Sequence, residues 1–187
     1  NDYIDVSQTS ELGLFGGLTP KEYSVEAWLR PEEDGREMVA VYSGWDGEFQ
    51  LVYNPNKQFA MAVHSGPKGL DLWDGVRSGS TYTKGEWHHV VGTYTWSVDT
   101  DAYQLKIYVD GELQGEAPLT NLMNAVAAGK LTMAQSGLSV PDTYHPPTIG
   151  ARTEKSGQRT VLWNGTIDEV AVYNRALLAE EVKNRYH

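Results

Sequence analysis

Two aspartates frame the chemistry that this chain could perform. Near the end, Ile167-Asp168-Glu169-Val170-Ala171-Val172-Tyr173 alternates with period two, so Asp168, Val170 and Val172 share a strand face. A valine face is normally the buried one, and a carboxylate on it needs a partner because an unpaired buried charge is very costly. The opening Asn1-Asp2-Tyr3-Ile4-Asp5-Val6 repeats the pattern, with Asp2, Ile4 and Val6 on one face. If the first and last strands are neighbours, Asp2 and Asp168 converge and want a cation between them. The alternative for Asp168 is to accept backbone N–H bonds or to pair with an arginine such as Arg175. Asp5 and Glu169 fall on the opposite parity and are expected in solvent.

A second set of residues could bind a sugar. An aromatic ring packs against the apolar C–H face of a saccharide, while nearby polar groups fix its orientation. Trp45 and Trp73 suit this best, because Gly and Asp flank both. Trp96 and Trp163 are further aromatics expected at strand ends, and Trp28 and Trp87 read as packing residues. Ala60, Ala62 and His64 share the strand face opposite Phe59, Met61 and Val63. With Gln50 across a hairpin, they could floor a shallow groove; the plainer reading is a solvated face. Arg77 and Arg152 could grip carboxylated or sulfated sugars with the planar guanidinium fork, although a lone arginine is more often a surface charge. His88-His89 is not a chelating pair, since adjacent strand residues point to opposite faces, and His89 reads as a core histidine.

The elements that position these residues are short strands. Tyr23 to Arg30, Met38 to Tyr42, the hairpin of Phe49–Tyr53 with Phe59–Val63, Glu86 to Trp96, and Tyr103–Val109 with Leu113–Glu116 all alternate or run apolar. Asp110-Gly111 is a hairpin turn, and Asn164-Gly165 a turn signal. The stretch from 65 to 83, containing Trp73 and Arg77, reads as irregular. Leu122 to Lys130 predicts a short helix, and Leu178 to Tyr186 a closing one. In the latter, Glu180 and Glu181 come first and Lys183 and Arg185 last, as the helix dipole prefers. The expected fold is all-β: a two-sheet antiparallel sandwich formed by residues 1–187 as a single domain, with a short C-terminal helix.

Composition narrows the partners. The 187 residues carry 25 Asp and Glu against 15 Lys and Arg, a formal charge of −10. That disfavours nucleic acid and anionic membrane surfaces, and no apolar run is long enough to span a bilayer. There are no cysteines, so disulfides and cysteine metal sites are excluded. The first residues read as strand rather than leader, the expectation for a trimmed mature domain. No strand carries acidic residues spaced for retaining glycoside hydrolysis, and no nucleophile or phosphate-loop motif is present.

Tyr23-Ser24-Val25-Glu26-Ala27-Trp28-Leu29-Arg30-Pro31, Glu86-Trp87-His88-His89-Val90-Val91-Gly92-Thr93-Tyr94, Leu105-Lys106-Ile107-Tyr108-Val109-Asp110-Gly111-Glu112-Leu113 and Ile149-Gly150-Ala151 resemble the laminin-G-like, concanavalin A-like jelly roll. The most specific block is Asn164-Gly165-Thr166-Ile167-Asp168-Glu169-Val170-Ala171-Val172-Tyr173-Asn174-Arg175-Ala176-Leu177. The family's usual serine before the closing helix is Leu178 here, which leaves that helix without its customary side-chain cap. The resemblance implies a sandwich with a concave face, of the kind common in secreted bacterial multidomain proteins beside carbohydrate-active enzymes. It also implies a structural calcium near the joined ends of the first and last strands, which gives Asp2 and Asp168 the role of calcium ligands.

The expected function is a noncatalytic carbohydrate-binding module with a structural calcium, secreted or on the cell surface and flanked by other domains of a larger protein. Its partner would be a polysaccharide or glycan, bound by Trp45, Trp73, His64, Gln50, Arg77 and Arg152, and the chain itself is expected to be monomeric. The alternatives are a protein-interaction or adhesion module, and a glycoside hydrolase or polysaccharide lyase on the same fold.

Overall fold

The computed structural model describes residues 4–5, 22–43, 49–65, 72–130, 147–154 and 156–187. They form two antiparallel sheets stacked over one core. The first sheet holds six strands: β1 (Ile4–Asp5), β3 (Met38–Ser43), β4 (Phe49–Tyr53), β5 (Phe59–Ser65), β6 (Leu72–Arg77) and β10 (Thr148–Ile149). Their spatial order is β1-β10-β3-β4-β5-β6. The second holds β2 (Tyr23–Pro31), β7 (His88–Ser97), β8 (Ala102–Val109), β9 (Glu112–Pro118) and β13 (Gly165–Tyr173), in the order β13-β2-β7-β8-β9. A small ribbon pairs β11 (Arg152–Thr153) with β12 (Arg159–Thr160), and two helices, α1 (Thr120–Ala127) and α2 (Ala179–Tyr186), complete the described chain.

Period-two patterning builds the core. Tyr23, Val25, Ala27 and Leu29 of β2 are fully buried, as are Phe49, Leu51 and Tyr53 of β4 and Phe59, Met61 and Val63 of β5. Side chains from both sheets meet in one cluster. The Asp110-Gly111 turn between β8 and β9 has positive φ at both residues, 53° and 79°, the geometry of the tight hairpin that this pair of residues favours. Between β4 and β5 the Asn54 side-chain oxygen accepts the N–H groups of Asn56 and Gln58 and closes the turn.

The two outer faces differ. On the five-stranded sheet, α2 lies across β2, β7 and β8. Leu177 and Val182 are buried there against Val91 and Tyr108, each such side chain contributing about 1.5–3 kcal/mol when fully buried. Beside them, His89 Nε2 meets Glu26 Oε1 at 2.7 Å, and Tyr173 donates to Glu26 Oε2 at 2.5 Å. Arg185 reaches both Glu26 and the Tyr173 hydroxyl. His89 is thus the buried, partnered histidine expected of it. Ser24 accepts the Leu177 N–H and donates to the Arg175 carbonyl, fixing the chain as it enters the helix.

The last strand departs from simple alternation. Its pairing with β2 slips by one residue between Asp168 and Ala171, and Glu169 has a φ of +49°. This is a β-bulge. It lets Ile167, Val170 and Val172 all pack against the core, and it turns Asp168 outward. The Asp168 carboxylate accepts the neighbouring Glu169 N–H at 2.8 Å and is exposed. Gly165 is the first residue of β13 rather than half of a hairpin turn. Its φ is +148°, and a Cβ there would stand 2.0 Å from the Arg30 carbonyl oxygen.

Candidate functional site

The outer face of the six-stranded sheet carries the candidate site. Cross-strand registers place Tyr42, Gln50, Ala62 and Gly75 in one row and Val39, Val52, Ala60 and Arg77 in the next, with His64 opposite Trp73. The face expected from Ala60, Ala62 and His64 therefore forms, and the hairpin brings Gln50 beside it. Among the described residues it is covered at one side and exposed along β6. Val39, Tyr42 and Val52 are buried together with Val161, whose carbonyl accepts the Val39 N–H. At the sheet edge, Trp73, Gly75 and Arg77 of β6 are exposed, while Asp74 and Val76 between them are buried.

This β6 alternation corrects the irregular reading of 65–83: residues 72–77 are a regular strand. Asp74-Gly75 looks like a turn because each residue serves another purpose. Asp74 points the other way and accepts the N–H groups of Asn121 and Leu122 at 2.9 and 3.1 Å. These are orphan donors in the first turn of α1, whose N-cap is Leu119 and has no side-chain oxygen. The helix is capped from a neighbouring strand, and the strand is held by the helix. Asn121 also donates to the Trp73 carbonyl. Gly75 leaves the floor between Trp73 and Arg77 bare, since a Cβ there would lie 3.2 Å from the Met61 carbonyl oxygen.

The polar groups on this face are few. Trp73 is 37% exposed, and its ring leans on His64 at 5.0 Å between centroids and 54° between planes. His64 is 4% exposed and Gln50 8%. Gln50 Oε1 is buried without a hydrogen-bond partner among the described residues. An acceptor held dry and unpaired is costly in a native fold unless a donor arrives. Arg77 stands exposed opposite Ala60.

The remaining candidates fall elsewhere. Trp45 and Asp2 lie outside the described residues. Arg152 sits on the β11–β12 ribbon and donates to Glu37 and Glu154, both at 3.3 Å, so its guanidinium is engaged within the fold. Trp163 is a core residue, and Trp96 meets Tyr103 edge-on. Trp87, expected to pack, is 40% exposed with the Arg30 guanidinium 5.6 Å from its ring. Trp28 does pack, stacking on Tyr186 of α2 at 5.9 Å.

The cation expected between Asp2 and Asp168 presumed that the first and last strands lie side by side in one sheet. β1 pairs with β10 in the six-stranded sheet and β13 with β2 in the other, so the first and last strands are edge strands of different sheets and are not hydrogen-bonded to each other. The bulge also removes Asp168 from the apolar face. Its exposed carboxylate accepts the Glu169 N–H, as in the alternative expected for it. Among the described residues, no group of three or more His, Cys, Asp or Glu side chains is placed to hold a metal.

Comparison with known proteins agrees with the fold. The candidate carbohydrate binding protein of Bacteroides ovatus superposes with a TM-score of 0.61 at 18% identity, over 89% of this chain and 41% of that one. This chain thus spans well under half of that protein's length. The CBM40 of the Ruminococcus gnavus IT-sialidase, bound to α2,3-sialyllactose, gives 0.69 at 14% identity over 99% and 92%. Domain 4 of AbnA, a GH43 extracellular arabinanase from Geobacillus stearothermophilus, in complex with arabinotriose, gives 0.55 at 17% identity over 91% and 68%. At these identities each likeness shows the fold alone. No curated protein matches the sequence. The family model Laminin_G_3, described as the concanavalin A-like lectin/glucanases superfamily, matches residues 1–183, and the chain therefore belongs to that family.

Proposed function

We propose that this chain is a noncatalytic carbohydrate-binding domain whose site is the outer face of the six-stranded sheet, centred on Trp73. The observation that carries the reading is the exposed Trp73 beside a floor of small residues, Ala60, Ala62 and Gly75, with Arg77 exposed on the same face. A saccharide offers an apolar C–H face for the exposed indole and hydroxyls for the polar groups beside it. The other outer face is covered by α2, whereas Trp73, Gly75 and Arg77 are exposed on this one. Similarity in fold to a sialidase CBM40 and to a domain of an extracellular arabinanase supports the same reading, together with a place outside the cell as part of a larger protein.

Among the described residues that the cross-strand rows place on this face, none is an acid. Asp74 is the acid on β6, and both its oxygens face away and cap α1. Glycoside hydrolysis needs two carboxylates flanking one bond. A structural calcium, with Asp2 and Asp168 as its expected side-chain ligands, is a separate proposal that the glycan site does not depend on. The direct test is a glycan array with the whole chain, followed by incubation with any polysaccharide it retains. Saturable binding without cleavage is expected. Release of reducing ends would make the domain an enzyme, and an array without any retained glycan would overturn the proposal.

A further inference from the structure

We infer that the ligand of this face carries an anionic group and that Arg77 is its receptor. The inference rests on the reading of the face as a glycan site and adds the class of glycan. In a chain with ten more acids than bases, an arginine normally finds a carboxylate. Arg30 pairs with Glu32, Arg36 with Glu33, Arg152 with Glu37 and Glu154, Arg175 with Glu181, and Arg185 with Glu26. Among the described residues, Arg77 has no acidic partner. Its cross-strand neighbour is Ala60, and its neighbour along the same face is Gly75, which has no side chain. The sequence thus leaves a guanidinium with its fork unclaimed on the one strand that also exposes the tryptophan.

The backbone beneath Arg77 is fixed, which distinguishes it from a loose surface charge. The Ser78 N–H donates to the Phe59 carbonyl at 2.8 Å, and the Gly79 N–H to the Gln114 carbonyl at 2.8 Å. Gly115 of β9 lies so close that a Cβ there would stand 2.3 Å from the Arg77 carbonyl oxygen. Trp73 and Arg77 lie four residues apart on one strand face, about 13 Å at the usual rise per residue. That separation suits an oligosaccharide which stacks one residue on the indole and presents a charged group further along. A planar guanidinium grips carboxylate or sulfate through two parallel hydrogen bonds, and those bonds are stronger than neutral ones.

The test uses two matched pairs of ligands by calorimetry: a trimeric uronic acid with its neutral methyl ester, and a sulfated trisaccharide with its desulfated form. The wild-type chain should prefer the charged member of one pair by about tenfold or more. That pair tells carboxylate from sulfate. R77Q, shown to be folded by an unchanged melting temperature, should collapse the preference to near one. Equal affinity for charged and neutral members in wild type would overturn the inference while leaving the glycan site standing. A preference that survives R77Q would overturn it by placing the anion elsewhere. Binding of neither member of either pair would count against both the inference and the glycan reading.

Discussion

Asp168 shows how a single residue changes meaning with its backbone. Read with strict alternation, it shares a face with Val170 and Val172 and must be neutralised. One extra residue in the strand, marked by the positive φ of Glu169, leaves the valines facing the core and frees the carboxylate to solvent. The period-two reading cannot see an inserted residue, which is why the burial of the valines was legible and the exposure of Asp168 was not. Because the carboxylate is exposed and bonded to its own neighbour, D168N without calcium should change stability by less than about 0.5 kcal/mol. With calcium, D168N should reduce the rise in melting temperature expected of wild type, as the proposed ligand role requires. A rise equal in both would remove the aspartate from the ligand set.

At the scale of elements, the sequence was clearest where one strand serves one sheet. Phe59, Met61 and Val63 against Ala60, Ala62 and His64 separate correctly because nothing interrupts the alternation. The strand carrying the site was hidden because Asp74-Gly75 has the composition of a turn. The aspartate instead caps a helix 47 residues further on, and no local pattern encodes a cap of that kind. The cap is also what fixes β6, so D74A should remove two hydrogen bonds from the first turn of α1. It should cost about 1–2 kcal/mol in urea unfolding. A loss below about 0.5 kcal/mol would mean that water caps the helix equally well. The closing helix solves its own missing cap differently. Leu178 has no side-chain oxygen, but Glu181 accepts the Leu178 N–H and is gripped by both nitrogens of the Arg175 fork.

For the whole molecule, the charge pattern sets the response to acid. Several carboxylates are held below their ordinary values. Arg175, then the Leu178 N–H, bring Glu181 to about 2. Asn164 and Arg36 lower Glu33, and Lys57 and Tyr53 lower Asp34. Burial pushes Glu26 up, but hydrogen bonds from His89 and Tyr173 and the charges of His89 and Arg185 bring it below its ordinary value. A carboxyl whose native pKa is depressed contributes stability above its unfolded value and loses it as pH falls through the native one. The melting temperature should therefore hold steady above about pH 5 and fall progressively towards pH 2. E181Q should make that fall shallower, because one of the coupled groups no longer titrates. An equally steep decline in E181Q would show that the Arg175 pair adds nothing to the acid response.

One outer face is covered by α2, and Trp73, Gly75 and Arg77 stand exposed on the other. The most direct test of the proposed site is the affinity of W73A for whichever glycan the wild-type chain retains, measured by calorimetry on protein with an unchanged melting temperature. W73A should lose about tenfold or more, since the indole supplies the stacking surface. An affinity equal to that of wild type would place the binding site away from the six-stranded sheet and contradict the proposal.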